Sequence, residues 1–167
     1  ASQGKRFEDA GQIRDQIEAL GSLYFEGRTK GYLEAAEELR RELKLPKPPQ
    51  RIEAFDISNI SGKEAVGSMV SFLKGKPDKN NYRRFKIKSV AQADDYRMLS
   101  EVVSRRYWRL KKESKIMPDL IIVDGGKGQL SSVKDELDKL RVSIPVIAIA
   151  KENEEIFLPV DNEPVRL

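Results

Sequence analysis

Two aspartates follow apolar segments in positions that suit metal-dependent chemistry. Asp56 lies near the end of the segment RIEAFDIS, and Asp124 directly follows the apolar run LIIV. If these segments are neighbouring strands of a sheet, both carboxylates can converge at one edge, where a shared cation relieves their repulsion. Oxygen ligands of this kind suit Mg²⁺ or Mn²⁺, ions that polarise phosphoryl oxygens and generate hydroxide for phosphodiester hydrolysis. The pair is therefore a candidate metal site.

Each acidic residue also has an ordinary structural interpretation. An aspartate before Gly125 and Gly126 often accepts backbone N–H bonds in a turn, and DISN at Asp56 can form a local Asx turn. Asp94 and Asp95 start a predicted helix, where adjacent acids most often serve as a cap and a partner for the helix dipole. A carboxylate there could also complete a metal site above the sheet. The residues alone leave both interpretations open.

Positive charge is concentrated in residues 74–88, KGKPDKNNYRRFKIK, and in residues 105–115, RRYWRLKKESK. The formal net charge of +4 mildly favours a polyanionic partner. Aromatic rings lie among these charges, a mixture that nucleic-acid grooves use, although some rings must be core and the charges can simply solvate a surface. The loop DGGKG could cradle a phosphate, but it lacks the spacing of a P-loop. The candidate DNA contacts are Arg83, Arg84, Lys86, Lys88, Arg105, Arg106 and Lys127.

The composition excludes several kinds of site. The chain has no cysteine and no histidine, so it has no disulfide framework, no thiolate or histidine metal site, and no Ser-His or Cys-His nucleophile. No apolar run approaches the roughly 18 residues that a membrane span needs, and the first 20 residues do not resemble a signal peptide. Any catalysis must use carboxylates, lysines, hydroxyls or a metal, and we expect a cytoplasmic protein.

The elements that would position the acids form the order β-β-β-α-β-α-β. Three short segments rich in β-branched and aromatic residues are separated by turn residues, which predicts an antiparallel meander. A long amphipathic helix, a buried strand, a second helix and another buried strand follow, with a short edge strand after them. The sequence therefore predicts an α/β fold, a mixed sheet flanked by helices. The predicted strands span 51–58, 65–73, 82–88, 119–124, 144–151 and 154–159, and the helices span 94–114 and 128–140.

A helical segment precedes this domain. Residues 5–20 and 31–43 have helical periodicity, and the proline-rich segment LPKPP, residues 45–49, ends the second helix as a stiff linker. We therefore divide the chain into a helical segment, 1–45, and a main domain, 46–167.

Several long motifs occur in the order and at the spacing of a known family. RIEAFDISNISGKEAVGSMVSF, KPDKNNYRRFKIK, DDYRMLSEVVSRRY and PDLIIVDGGKGQL, followed by IPVIAIAK, resemble the C-terminal endonuclease domain of the excinuclease subunit UvrC over residues 38–167. Residues 1–20 resemble the second helix of the UVR motif, a helical hairpin that binds UvrB in that family.

The resemblance implies an RNase H-like fold and a function in nucleotide excision repair. It implies nicking of damaged double-stranded DNA on the 5′ side of the lesion with a divalent metal. Carried over by motif, the catalytic acids are Asp56, Asp95 and Asp124, with Asp56 and Asp124 sharing the metal. Gly125 and Gly126 would then let backbone and DNA approach closely.

Two departures from the family pattern affect these expectations. The family's nuclease site uses a histidine, which this chain lacks. The family's GIY-YIG and helix-hairpin-helix domains are also missing, so we expect a central, C-terminally truncated fragment with an incomplete active site. An alternative is a catalytically inactive module that binds DNA or UvrB. An RNase H-like resolvase or transposase relative would share the fold, but would not predict these motifs.

Overall fold

A mixed sheet of eight strands forms the centre of the part of the chain that the computed structural model describes, residues 31–60, 64–88, 94–150, 155–159 and 165–166. The helix expected over 5–20, with its likeness to the UVR motif, lies outside these residues. The helices are α1 (Tyr32–Glu42), α2 (Asp95–Lys112) and α3 (Lys127–Lys139), and a 3₁₀ helix spans Lys79–Asn81. The strands are β1 (Arg51–Ile60), β2 (Glu64–Leu73), β3 (Lys76–Pro77), β4 (Arg83–Lys86), β5 (Leu120–Asp124), β6 (Val146–Ala150), β7 (Glu155–Phe157) and β8 (Val165–Arg166).

The strand order is β3-β2-β1-β5-β6-β7-β8, with β4 beside β3 on the same edge of β2. β1, β5 and β6 are parallel to one another, and the remaining pairs are antiparallel. The antiparallel pairing of β1, β2 and β4, followed by crossovers through α2 and α3, confirms the predicted β-β-β-α-β-α-β order and the RNase H-like mixed sheet.

The sheet has two faces, because successive strand residues point to opposite sides. One, the helix face, carries Phe55, Met69 and Val123 and is covered by α2 and α3. The other, the linker face, carries Ala54 and Ile122. The helices supply the helix-face core through residues at three- and four-residue spacing, which are Leu99, Val102, Val103, Tyr107 and Leu110 of α2 and Leu130, Val133 and Leu137 of α3.

The predicted cap of the long helix is confirmed. Asp94 precedes α2, and its carboxylate accepts a hydrogen bond of 3.2 Å from the backbone N–H of Arg97. This bond satisfies one of the N–H groups that the first turn of a helix leaves without a partner.

Two expectations about strands need correction. The segment at 154–159 was expected to be an edge strand, but β7 pairs with β8 on one side and with β6 on the other. The turn between the second and third strands contains the two-residue β3 and a 3₁₀ helix, and β4 is shorter than the predicted 82–88. The elements that the sequence did not predict, which are β3, the 3₁₀ helix and β8, have only two or three residues each and are too short for periodicity to be visible.

The proline-rich segment lies against the sheet. Leu43 and Leu45 are buried in the linker-face core, and the hydroxyl of Tyr32 donates a hydrogen bond to the carbonyl of Pro49. The segment after α1 is therefore anchored to the main domain. The division of the chain at residues 45 and 46 stays a prediction.

Asp119 fastens the end of this segment to the start of β5. Its Oδ2 accepts hydrogen bonds from the backbone N–H of Gln50, at 2.8 Å, and of Arg51, at 2.9 Å. Its Oδ1 lies 2.6 Å from Nζ of Lys47. Burial raises the pKa of Asp119, but the bonds from Lys47, Arg51 and Gln50 outweigh burial and lower the pKa below its usual value.

We expect Asp119→Asn to lower the free energy of unfolding by about 1–3 kcal/mol at neutral pH, because hydrogen bonds to a charged acceptor are lost. The lowered pKa means that the carboxylate stabilises the fold above its unfolded pKa of about 3.9 and loses this effect as pH falls through the folded value. Urea unfolding between about pH 3 and pH 7 should show the difference from the unsubstituted chain shrinking in acid. Asp135→Asn, on the exposed side of α3, is the control. A difference that does not change with pH would contradict the role of the charge.

Candidate functional site

Asp56 and Asp124 lie on adjacent parallel strands. In the pairing of β1 with β5, Phe55 is opposite Val123, and the same register continued by one residue sets Asp56 opposite Asp124. Adjacent strands are about 4.7–4.9 Å apart. Both aspartates are half-buried. Asp56 follows Phe55 and Asp124 follows Val123, and both of these preceding residues belong to the helix face. Since successive strand residues alternate between the two faces, both aspartates belong to the linker face. The expectation that the two acids lie on neighbouring strands is confirmed. The expectation that Asp56 lies near the end of its strand is wrong, because β1 continues to Ile60.

The register extends this pair into a row across four strands. Asp56 is opposite Ser68 of β2, and Ser68 is opposite Arg84 of β4. We call Arg84, Ser68, Asp56 and Asp124 the carboxylate row. Residues directly opposite one another project to the same side of a sheet, so the whole row belongs to the linker face. A hydroxyl and a guanidinium group thus share the face of the two candidate metal ligands.

The loop after Asp124 is tightly built. Gly125 has a φ of +141°, a conformation that favours glycine, and its N–H donates to the carbonyl of Ile149 at 2.9 Å. The N–H of Gly126 donates to Oε1 of Gln129 at 2.9 Å. A Cβ at Gly125 would lie 2.5 Å from the side chain of Gln129. The loop therefore starts α3 immediately after Asp124, with Lys127 exposed as the first residue of the helix.

Asp95 is placed differently from the pair. It is exposed in the first turn of α2, which packs on the helix face, whereas Asp56 and Asp124 belong to the linker face. Among the residues described here, no group of three or more His, Cys, Asp or Glu side chains is arranged to hold a metal ion. The structure therefore brings Asp56 and Asp124 together without adding Asp95 to a three-ligand cluster, and a catalytic role for Asp95 stays a prediction.

The donor set of the pair fits a hard divalent cation. Mg²⁺ commonly takes one or two carboxylates from a protein and completes its shell with water and substrate phosphate. Two carboxylates on adjacent strands supply that number of protein ligands, and they offer oxygen rather than nitrogen or sulfur. The pair is therefore the candidate site for Mg²⁺ or Mn²⁺ in the part of the chain that the structure describes.

Four of the seven candidate DNA contacts lie in β4 or just after it. Arg83, Arg84, Lys86 and Lys88 are all exposed. The guanidinium group of Arg83 donates to the carbonyls of Asn80, at 2.9 Å, and Tyr82, at 2.7 Å.

Arg105 fastens α2 to this strand. It donates to the carbonyl of Lys86 at 2.8 Å, pairs with Glu101 at 3.1 Å, and lies 5.6 Å from the ring centroid of Phe85. Arg105 thus has a structural role in addition to any contact with DNA.

The candidate DNA contact at Arg106 is wrong. Arg106 is only 8% exposed, and its Nη2 lies 2.6 Å from Oε1 of Glu53, which is fully buried. The hydroxyl of Tyr107 donates to the other oxygen of Glu53 at 2.9 Å. Burial, followed by the negative charge of Glu53, raises the pKa of Tyr107 well above its usual value. We call these three residues the Glu53 cluster. Its ionic partners satisfy each other inside the helix-face core, so a phosphate cannot reach Arg106.

The aromatic residues of the basic stretches divide between core and surface. Tyr107 is fully buried and packs edge-on against Phe55, with ring centroids 6.0 Å apart. Trp108 is 53% exposed, and Nζ of Lys112 lies 4.8 Å from its ring centroid.

Among the helices of the described residues, we find none with the length and apolar character that a bilayer crossing requires.

Comparison with known families gives one match that covers most of the chain. The family described as "UvrC RNAse H endonuclease domain" matches residues 40–167.

Curated relatives agree with this match. The UvrABC system protein C of Methanosarcina mazei is 60% identical over 123 residues, which cover 74% of this chain and 24% of that protein. The protein of the same name from Dehalococcoides mccartyi is 56% identical over 140 residues, and that from Treponema denticola is 45% identical over 141 residues. These matches cover 80% of this chain and 23% of the first protein, and 84% of this chain and 22% of the second. The chain thus spans about a quarter of the length of these relatives.

Solved structures give more distant likenesses. A variant of Ciona intestinalis endonuclease V, bound to a 23mer DNA that contains an inosine, is 17% identical with a TM-score of 0.48. It covers 72% of this chain and 56% of that chain. Human ENDOV is 16% identical with a TM-score of 0.48, covering 84% of this chain and 58% of that chain.

Proposed function

The chain belongs to the UvrC RNase H endonuclease domain family, and we propose that it nicks damaged double-stranded DNA with a divalent cation held by Asp56 and Asp124. The family membership supports a nuclease of nucleotide excision repair. The cleavage position, on the 5′ side of the lesion, is proposed from the resemblance of the motifs. The observation that carries the proposal is the placement of the two carboxylates on adjacent parallel strands and on the same face of the sheet.

Each group of residues has a distinct task in this proposal. Asp56 and Asp124 would hold Mg²⁺ or Mn²⁺, and a cation bound there would polarise a phosphoryl oxygen and lower the pKa of a coordinated water. Three exposed cations at and after β4, which are Arg84, Lys86 and Lys88, would hold the DNA backbone through its phosphates together with Arg105 and Lys127. Asp95 would contribute a further negative charge from the start of α2.

The chain contains no histidine to accept or donate a proton during hydrolysis. A positioned general acid or base typically contributes about 10²–10⁴-fold in rate. We therefore propose that this chain nicks slowly.

The proposed partners are damaged DNA and other Uvr proteins. The relatives are named as components of the UvrABC system. UvrB is the proposed protein partner, through the UVR-like residues 1–20, and the proposed place of action is the cytoplasm, where these partners would meet.

A second candidate function is a module that binds DNA or UvrB without cleaving. It is favoured by the absence of histidine from the 167 residues and by the absence of a three-ligand group among the residues described.

A nicking assay separates the two candidates. A duplex with one defined lesion and a labelled strand should yield a single nick on the 5′ side of the lesion in Mg²⁺ or Mn²⁺, and no nick in EDTA. An undamaged duplex of the same sequence is the substrate control. Binding of the lesion duplex without any metal-dependent product would reject the nuclease and support the binding module.

A further inference from the structure

The basic strand β4 presents its cations on both faces of the sheet. Its pairing with β2 sets Arg83 opposite Met69, Arg84 opposite Ser68, and Lys86 opposite Val66. Since facing residues project to the same side, Arg83 belongs to the helix face with Met69. Arg84 and Lys86 have the opposite parity and belong to the linker face. Two neighbouring arginines with the same charge thus belong to opposite faces of the sheet.

The partners of Arg83 are local. Its guanidinium group donates to the carbonyls of Asn80 and Tyr82, which belong to the turn that leads into β4. Phe85, two residues further along β4, packs against the helix-face core. The side of β4 that carries Arg83 therefore adjoins α2 and supports the strand.

Arg84 shares the face of the candidate metal ligands. It is opposite Ser68, which is opposite Asp56, so two inter-strand spacings of about 4.8 Å separate the backbone of Arg84 from that of Asp56. Lys86 belongs to the next row on the same face, opposite Val66, which is opposite Ser58. Cationic side chains thus begin two strands away from the carboxylate pair.

This part of the linker face is not filled by the segment that follows α1. Leu43 and Leu45 cluster with Ala54, Val70 and Phe72, which lie nearer the other end of β1 and β2. In the carboxylate row, Asp56, Ser68 and Asp124 are half-buried and Arg84 is exposed. The row is therefore accessible to a ligand from solvent.

A DNA strand that approaches the carboxylate pair needs a cationic side chain nearby. A DNA strand near Asp56 and Asp124 is repelled by both carboxylates, and a cation between them offsets that repulsion only locally. A guanidinium group in the same row can bind a phosphate through two N–H donors and fix its orientation, which a lysine cannot do in the same way. Holding a neighbouring phosphate fixes the position of the phosphate that reacts.

We propose that the cleaved strand crosses the linker face from β4 toward β5, with Arg84 and Lys86 binding its phosphates, whereas Arg83 supports β4 and does not contact that strand. This path leads to the carboxylate pair because the inference rests on the proposed nuclease function. Arg84 is a positioning residue in this arrangement. Ser68, between Arg84 and Asp56, offers a hydroxyl to the same strand.

The two arginines provide a matched test. Arg84→Gln and Arg83→Gln remove the same charge one residue apart on the same exposed strand. Affinity for the lesion duplex is measured across salt concentrations with EDTA present, so that cleavage plays no part. Arg84→Gln should reduce the log–log salt slope by about one unit, because one phosphate contact is lost. Arg83→Gln should leave the slope unchanged, and Arg84→Lys should restore most of it.

The outcomes decide the proposal independently of catalysis. Equal reductions at both arginines, or no reduction at Arg84, would overturn the assignment of the strand to the linker face. Loss of slope at Arg84 alone would support it even if the chain never nicks DNA, in which case only the proposed nuclease function fails. Thermal unfolding of both variants checks that β4 stays in place, and a variant that melts early is replaced by the corresponding Arg→Met variant, which keeps an unbranched side chain and removes the charge.

Discussion

Asp56→Asn is expected to reduce metal-dependent nicking by about 10²–10⁴-fold, since losing one of two anionic metal ligands removes several kcal/mol of transition-state stabilisation. The amide keeps the shape of the side chain but loses the charge that holds the cation. Because the amide has the same size, the metal-free variant should remain folded at the temperature of the assay. The expected loss is therefore a loss of rate and not a loss of folding.

The measurement combines single-turnover nicking with thermal unfolding in the presence and absence of Mn²⁺. Bound cation stabilises a fold in proportion to its occupancy, so Mn²⁺ should raise the melting temperature of the unsubstituted chain but not that of Asp56→Asn. Asp135→Asn, an equal change of charge on an exposed turn of α3, should behave like the unsubstituted chain in both assays. Equal low nicking by the unsubstituted chain and Asp56→Asn would instead identify a contaminating nuclease.

Arg106→Met is expected to lower the free energy of unfolding by about 3–5 kcal/mol, because it leaves the buried carboxylate of Glu53 without its ionic partner. Glu53→Leu should cost a similar amount, since the guanidinium group then loses its counter-charge. The double variant Glu53→Leu with Arg106→Met should recover most of the loss, because neither charge remains in the core. The expected signature is therefore strong non-additivity between two residues on different elements.

Urea unfolding of the two single variants and the double variant measures this coupling. Tyr107→Phe serves as the control, because it removes one hydrogen bond to Glu53 without uncovering a charge, at a cost of about 1–3 kcal/mol. A cost below about 1 kcal/mol for Arg106→Met would place it in the range of exposed ion pairs and contradict the assignment. A change in the salt dependence of DNA binding in a folded Arg106→Met variant would restore Arg106 as a phosphate contact.

The sequence was sufficient for the sheet and for the candidate metal ligands. The apolar run before Asp124 has no polar interruption, which is typical of a parallel strand covered on both faces, and the structure covers β5 on both faces. Asp124 ends the apolar run of β5, and Asp56 lies within β1 directly after Ala54 and Phe55. The pattern was enough to predict the two residues as candidates, and the register of β1 against β5 brings them together.

The burial of Arg106 could have been predicted from its helical spacing, but its basic neighbours suggested a surface position. Arg106 follows Val103 by three residues and precedes Leu110 by four, so it falls on the buried stripe of α2. Glu53 alternates with Phe55 and therefore shares its face of β1. Two charges on apolar positions of different elements suggest a buried pair, but grouping Arg106 with its basic neighbours favoured DNA.

The division between Arg83 and Arg84 could not be read from the sequence. Both arginines lie in one basic run, and only the register of β4 against β2 assigns them to faces. A shift of that register by one residue would exchange their positions. Register depends on pairing between segments that are distant in sequence, so it became visible only in the folded sheet.

The parallel pairing of β1 with β5 also determines the stage of folding at which Asp56 and Asp124 come together. The contacts that join these strands connect residues far apart in the chain, as the bond from Arg51 to Asp119 does across 68 positions. Such non-local contacts form slowly, because a long loop must close before the contacts stabilise it. During synthesis Asp56 leaves the ribosome well before Asp124, so an incomplete chain cannot hold a cation between them. The proposed hydrolytic site can therefore form only after β5 has docked against β1.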